Sequence, residues 1–213
     1  MPHPNVASIA PSCAVLQDDF QTFNTRLWSA ETELPEQSRI WAEQGRLIMD
    51  TRAGMTVWLR QRLSGAYRIE FLRQVLVAGQ ANDRLSDMNV FWGAHDGEAG
   101  ELIERDGVLE SYDSLATWYV GMGGNTNTTT RFRYYDGQGN RPLLDEKLDA
   151  AHLLEAGRIY RIRIDVTSSA TRYWVDEELL FEQALDALPI AGYFGLRSVW
   201  SRQAISRFSV QAL

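Results

Sequence analysis

Thr117-Trp118-Tyr119-Val120-Gly121-Met122-Gly123-Gly124-Asn125-Thr126-Asn127-Thr128-Thr129-Thr130-Arg131-Phe132-Arg133-Tyr134-Tyr135 is the stretch from which the fold is read. An aromatic, strand-like run meets a Gly/Asn turn, and a second strand-like run follows. Gly and Asn tolerate positive φ, so the chain reverses tightly between the two runs. Side chains alternate across a strand. Thr129, Arg131, Arg133 and Tyr135 therefore share one face, and Thr128, Thr130, Phe132 and Tyr134 the other. Two guanidiniums and a phenol on one sheet face make a platform for an oxygen-rich, anionic ligand. The plain alternative is the solvated outer face of an ordinary hairpin.

Working outward, short strands recur on both sides of this hairpin. Tyr160, Ile162, Ile164 and Val166 alternate with Arg161, Arg163 and Asp165, and Tyr67, Ile69 and Phe71 alternate with Arg68 and Glu70. Both patterns are half-buried strands, with the apolar set expected inside. Arg39–Trp41 and Leu47–Asp50 flank Glu43-Gln44-Gly45 as a hairpin, and Met55–Arg60 follows a break at Gly54. Arg172–Val175 and Leu179–Phe181 flank the acidic turn Asp176-Glu177-Glu178, and Gly192–Arg197 and Ile205–Val210 close the chain. Leu143–Glu155 carries helix formers and reads as one or two helical turns ending at Gly157. Gly93–Gly107 reads as a long polar surface loop. Short strands with frequent turns predict an all-β, two-sheet antiparallel sandwich with little helix. Residues 1–13 read as a loose leader, and 14–213 as a single domain.

The 213 residues carry a formal charge of −7. That excludes a general nucleic-acid binder, which needs a basic footprint. No apolar run approaches the ~20 residues of a membrane span. Cys13 is the sole cysteine, so no disulfide forms within the chain. Met1–Ser12 lacks both a basic start and an apolar core, and so does not read as a signal peptide. A secreted or periplasmic location, with the signal outside this sequence, is the expectation; a cytoplasmic one is the alternative. The oligomeric state is not legible.

Several chemistries lack their motif. Gly121-Met122-Gly123-Gly124 has no Lys-Ser/Thr ending and precedes a strand pattern, so it is no phosphate loop. His3, His95 and His152 are far apart, without zinc spacing. No Gly-x-Ser-x-Gly elbow occurs. Among Glu101, Glu104 and Asp106 only the last two share i, i+2 spacing, and they read as a solvated loop rather than a glycosidase pair. Asp83 and Asp87, flanking Arg84, read as surface. Asn89 interrupts the apolar Met88–Trp92 run, so its amide needs a hydrogen-bond partner, backbone or ligand. Trp200, between Arg197 and Arg202, either stacks on a sugar ring or caps the sandwich edge.

Asp18-Asp19-Phe20 with Trp28, Asp87-Met88-Asn89-Val90-Phe91-Trp92, Gly192-Tyr193-Phe194-Gly195-Leu196-Arg197 and Ile205–Val210 together resemble the concanavalin A-like lectin/glucanase superfamily, from about Asp18 to Leu213. Tyr119–Tyr135 with Arg141-Pro142-Leu143-Leu144 resembles, more closely, a bacterial domain family of unknown function associated with polysaccharide utilisation. The resemblance implies a jelly roll with a concave ligand face. Superfamily members include glycoside hydrolases, polysaccharide lyases, lectins and non-catalytic modules, so the fold does not choose among them. The chain lacks the Glu-x-Asp-x-Glu strand of laminarinase-like hydrolases and the Gln-x-His strand of alginate-lyase-like members. Tyr119-Val120-Gly121 echoes the tyrosine strand of the latter.

The leading expectation is a lyase that cleaves a uronic-acid-containing polysaccharide by β-elimination. Arg131 serves the uronate carboxylate and Tyr119 the proton transfer, with His95 as a further base candidate. Asn89, Trp92, Asn125, Asn127, Arg133, Arg197 and Trp200 are the ligand-contact candidates. The alternatives are a non-catalytic carbohydrate-binding module or lectin, and a glycoside hydrolase using Glu101 or Glu104. No cofactor or catalytic metal is expected. A structural Ca²⁺ near Asp18 and Asp19 stays open, and the expected partner is an oligo- or polysaccharide, not nucleic acid or membrane.

Overall fold

The computed structural model describes residues 14–97 and 102–213. The expected leader, with Cys13 and His3, and Glu101 lie outside the described residues. The strands are β1 (Ala14–Asp18), β2 (Trp28–Thr32), β3 (Arg39–Glu43), β4 (Arg46–Leu59), β5 (Tyr67–Leu76), β6 (Met88–His95) and β7 (Ala116–Gly123). They continue as β8 (Thr129–Asp136), β9 (Leu143–Lys147), β10 (Ile159–Val166), β11 (Ala170–Val175), β12 (Glu178–Ala184) and β13 (Tyr193–Ala212). All pairings are antiparallel.

Two long strands pass from one sheet to the other. The first half of β13 pairs with β6 through Tyr193–Arg197 and with β4 through Gly195–Val199. Its second half pairs with β5 from Arg202 onward, and its last residues with β1. Register shifts fall at Val199/Ser201 and Ser206/Ser209, where Trp200 (φ 55°) and Arg207 (φ 53°) adopt left-handed backbone. Such bulges bend a strand without ending it. One sheet therefore runs β2-β4-β13-β6-β7-β8-β9, and the other β3-β4-β13-β5-β10-β11-β12 with β1 beside β13.

The faces follow the alternation. Tyr67, Ile69, Phe71, Ile162 and Ile164 are buried, as their period predicts. They meet Trp28, Val57, Val90, Trp92, Val120, Phe132 and Leu196 from the first sheet in one apolar core. This is the predicted two-sheet sandwich. Gly54 does not break a strand: β4 runs through it. The two closing strands are one, β13. The helix expected over Leu143–Glu155 is replaced by β9, which pairs with β8, and by one 3₁₀ turn at Ala150–His152. The edge position supplies β9 with a partner, and Asp149 caps the turn by accepting from the Ala151 N–H at 3.2 Å. Among the described residues no helix is long and apolar enough to cross a membrane.

Candidate functional site

The second face of the first sheet carries the other half of the alternation. Asn89 on β6, Tyr119 and Gly121 on β7, Thr129, Arg131, Arg133 and Tyr135 on β8, and Arg197 on β13 line one cavity of about 570 Å³. β7 and β8 pair Tyr119 with Arg133 and Gly121 with Arg131, and β13 pairs Arg197 with Asn89. The turn between β7 and β8 forms one wall with Gly124, Asn125 and Thr126. This turn is left-handed: φ is 71° at Gly123, 52° at Asn125, 59° at Thr126 and 58° at Asn127. A β-branched Thr pays a steric cost there. Asn127 offsets it by accepting from the Leu154 N–H at 2.8 Å and donating to the Leu154 carbonyl at 2.9 Å. Asn127 thus holds the wall and does not line the cavity.

Gly121 is needed for a different reason. A Cβ there would stand 2.6 Å from the Tyr119 hydroxyl. The bare backbone lets the Tyr119 ring lie across it, beside Phe91 (centroids 5.3 Å) and Tyr135 (5.5 Å). Burial, and next the neighbouring Tyr135, push the Tyr119 phenol well above its ordinary pKa, so it is neutral and protonated at physiological pH.

Five arginines line the cavity: Arg84, Arg131, Arg133, Arg141 and Arg197. Three are paired with carboxylates. Arg84 meets Asp87, Arg131 donates to Glu146 at 2.9 Å, and Arg141 meets Asp113. Two have no acidic partner among the described residues. Arg133 donates to the Arg141 carbonyl at 2.7 Å. Arg197, fully buried, donates to Thr56 Oγ1 at 2.8 Å and the Gly107 carbonyl at 3.1 Å, while its Nε and Nη2 find no acceptor. Asn89, 3 % exposed, has an unpartnered Oδ1. Orphaned buried polar groups are costly, and each calls for a partner such as an ordered water, an ion or a bound group. Arg163, Tyr173, Trp174 and Trp200 carry such atoms outside the cavity.

Beneath the floor lies another guanidinium. Arg73 is buried on the core face of β5 and donates to the Asn89 and Arg197 carbonyls at 2.7 and 2.8 Å and to Gln203 Oε1 at 2.7 Å. Burial among neutral acceptors pushes its pKa down to about 9. It ties β6 to β13 under the cavity.

The connections supply what the strand pattern could not. Asp83 and Asp87, expected at the surface, are both enclosed. Asp83 accepts from Arg202 at 2.7 Å and from the Gln80 N–H at 3.0 Å. Asp87 sits at φ 60° and lines the cavity, and burial raises its carboxyl pKa despite Arg84. Gly93–Gly107 is not merely a surface loop. The chain from Leu102 to Leu115 packs onto the centre of the concave face, with Tyr112 and Leu115 buried against Trp58, Phe91 and Tyr135. Glu104 and Asp106 within it are exposed, as the solvated reading expects.

Besides Asn127, three sequence candidates lie outside the cavity lining. Trp92 is in the core, stacked on Phe132 (5.8 Å) and donating to Thr171 at 2.8 Å, so it cannot touch a ligand. His95 sits at the far end of β6 with its ring against the Gly93 carbonyl (3.0 Å), outside the cavity lining. Trp200 lies beside Arg52 and Arg84 (3.8 and 4.8 Å to the ring centre), and its carbonyl receives Arg84 at 3.0 Å. It orients Arg84 from behind the rim. Asp18, a calcium candidate, is occupied by the Phe20 N–H and the Trp28 indole, each at 2.8 Å. Among the described residues no group of three or more His, Cys, Asp or Glu is placed to hold a metal.

The architecture defines the class: a galectin-like, concanavalin A-like jelly roll. A protein of unknown function with a galectin-like fold from Bacillus subtilis matches with TM-score 0.73 at 14% identity, over 93% of this chain and 95% of that one. The carbohydrate-binding module CBM66 from Bacillus subtilis gives 0.60 at 9%, over 87% and 96%. A LamA variant from Zobellia galactanivorans, crystallised with laminaritriose and laminaritetraose, gives 0.64 at 12%, over 93% and 98%. At these identities the likeness establishes the fold. No curated protein matches the chain. Residues 49–208 match the model of a domain of unknown function, DUF6250, and the chain belongs to that family.

Proposed function

We propose that the concave cavity binds an acidic oligo- or polysaccharide. One observation carries this reading: Arg133, half-buried and without a carboxylate partner among the described residues, faces a cavity lined by four further arginines in a protein of charge −7. An uncompensated guanidinium there awaits a carboxylate, which it grips with two parallel hydrogen bonds. The carbohydrate-binding module and the laminaritriose-bound structure with this fold support a saccharide as the ligand class.

The protonated Tyr119 phenol favours a second step, β-elimination. Asp87, whose carboxyl is made more basic by burial, would take the C5 proton of a bound uronate. The C4–O bond breaks as the C4–C5 double bond forms, and Tyr119 protonates the leaving oxygen. The arginines would stabilise charge building on the carboxylate. Among the described residues Asp87 is the sole carboxylate lining this cavity, so the cavity does not offer the carboxylate pair that a hydrolase uses.

Titration calorimetry on alginate, polygalacturonate and hyaluronan, with neutral laminarin as control, tests binding. Acidic polymers should bind, and more weakly as salt screens the contact. Equal binding of laminarin overturns the anionic reading. Growth of ultraviolet absorbance from an unsaturated product on any acidic polymer establishes elimination. Binding without it leaves a non-catalytic module.

A further inference from the structure

We propose that the cavity takes the end of an acidic saccharide chain rather than a stretch within it. The inference rests on the reading that this cavity binds an acidic saccharide. Its ground is how the Leu102–Leu115 segment divides the concave face. On one side lies the arginine cavity, with Leu109 as its wall. On the other lies a smaller cleft of about 270 Å³ over β2 and β4, walled by Leu102 and Glu104. A polymer crossing the sheet would have to pass through the segment between them.

That segment is fixed, not draped. The Tyr112 hydroxyl donates to Glu31 at 2.5 Å, the Trp58 indole donates to the same carboxylate at 2.8 Å, and the Arg105 N–H at 2.8 Å. Phe91 stacks on Trp58 and Tyr112 at 5.6 and 5.5 Å. Gly107 lies so close to the backbone of β2 and β4 that a Cβ would stand 2.6 Å from the Glu33 nitrogen and 2.9 Å from the Gly54 carbonyl. The Arg197 guanidinium holds the Gly107 carbonyl from below and lies 4.6 Å from the Tyr112 ring. No room remains beneath it for a sugar ring.

Two further walls bound the cavity. The left-handed turn closes a second side, pinned by Asn127 to Leu154. Arg84, held by the Val199 and Trp200 carbonyls and paired with Asp87, closes a third. A cavity with its carboxylate-gripping groups against a closed wall receives a terminal residue and leaves the rest of the chain in solvent.

The test counts chain ends. Alginate, polygalacturonate and hyaluronan are each titrated into the protein at equal mass, as native polymer and as graded oligomers down to the disaccharide. Protein bound per gram of saccharide should rise in inverse proportion to mean chain length, and the disaccharide should bind nearly as tightly as longer oligomers. If the protein cleaves the chain, one short product should appear from the earliest time points. Constant capacity per gram, affinity climbing steadily with length, or an early ladder of product sizes overturns chain-end binding and leaves the acidic-saccharide reading standing. Failure of every acidic sample, short and long, to bind overturns both.

Discussion

The centre of the concave face and the cavity beside it are built on the same strands, yet they are left in opposite states. At the centre, Glu31 is buried with both oxygens engaged, and Trp58, Phe91 and Tyr112 fill the space around it. Burial raises the Glu31 pKa, and its three donors hold the rise back. One strand pairing away, Asn89 and Arg197 are as deeply buried but carry orphaned polar atoms. Polar satisfaction marks where the sheet is sealed, and the cavity beside it is where the proposed saccharide would sit. The contrast predicts that substitutions on the two sides separate into losses of stability and losses of function.

The largest expected effect is at the sealed centre. Trp58→Ala removes a fully buried indole and one donor to Glu31. It should cost about 3–5 kcal/mol, read as a lower urea midpoint at unchanged slope. A loss under about 1 kcal/mol would mean that the centre is not sealed and that the contrast is false.

Tyr119→Phe asks the opposite question. The ring contacts with Phe91 and Tyr135 survive and only the hydroxyl goes. If the protein eliminates, turnover should fall by about 10²–10⁴ with saccharide affinity little changed. Full activity in the variant removes Tyr119 from the chemistry.

Arg133→Ala and Arg131→Ala sharpen the contrast within the cavity itself. Arg133 has no carboxylate partner among the described residues, so its removal should weaken binding of an acidic oligosaccharide by about 1.5–3 kcal/mol. Stability should stay within about 0.5 kcal/mol of wild type. Arg131 is already neutralised by Glu146, so its loss should weaken binding less. The reverse order, measured by calorimetry, would mean that pairing does not decide which arginine reads the ligand.

These arginines were legible because alternation alone assigns their face. The same rule allows only one of Asn89 and Trp92 to face the ligand, since they stand three apart on β6. Naming both set a core residue in the site. Arg84, Asp87, Leu109 and Arg141 were not legible as lining residues, because they sit on connections or just beyond strands and long-range topology sets where those run. The sealing segment was hidden for a related reason. Its polar stretch reads as solvated, and the residues that anchor it, Tyr112 and Leu115, come after that stretch. The long β13 read as two strands because Trp200 takes left-handed backbone in mid-strand, which no local preference announces.

The smallest effect concerns how the cavity wall is held from outside. His152 bridges Asp149 on its own turn (2.7 Å) and Glu178 on β12 (3.0 Å). Its backbone carbonyl accepts from Thr130 Oγ1 at 2.6 Å, and two residues on, Leu154 is the anchor of Asn127. The hydrogen bonds to Glu178 and then Asp149 raise the His152 pKa above its ordinary value. Protonation is thus favoured by folding. The stabilisation should be fully present below the unfolded value, about 6.5, and lost as pH rises through the higher folded one. The difference in melting temperature between wild type and His152→Gln should therefore be largest in mildly acidic buffer and shrink toward alkaline pH. Because the pairs are largely solvated, high salt should shrink it too. A difference that grows with pH would mean that His152 acts as a neutral hydrogen-bonding group, and the wall would then owe its position to Asn127 alone.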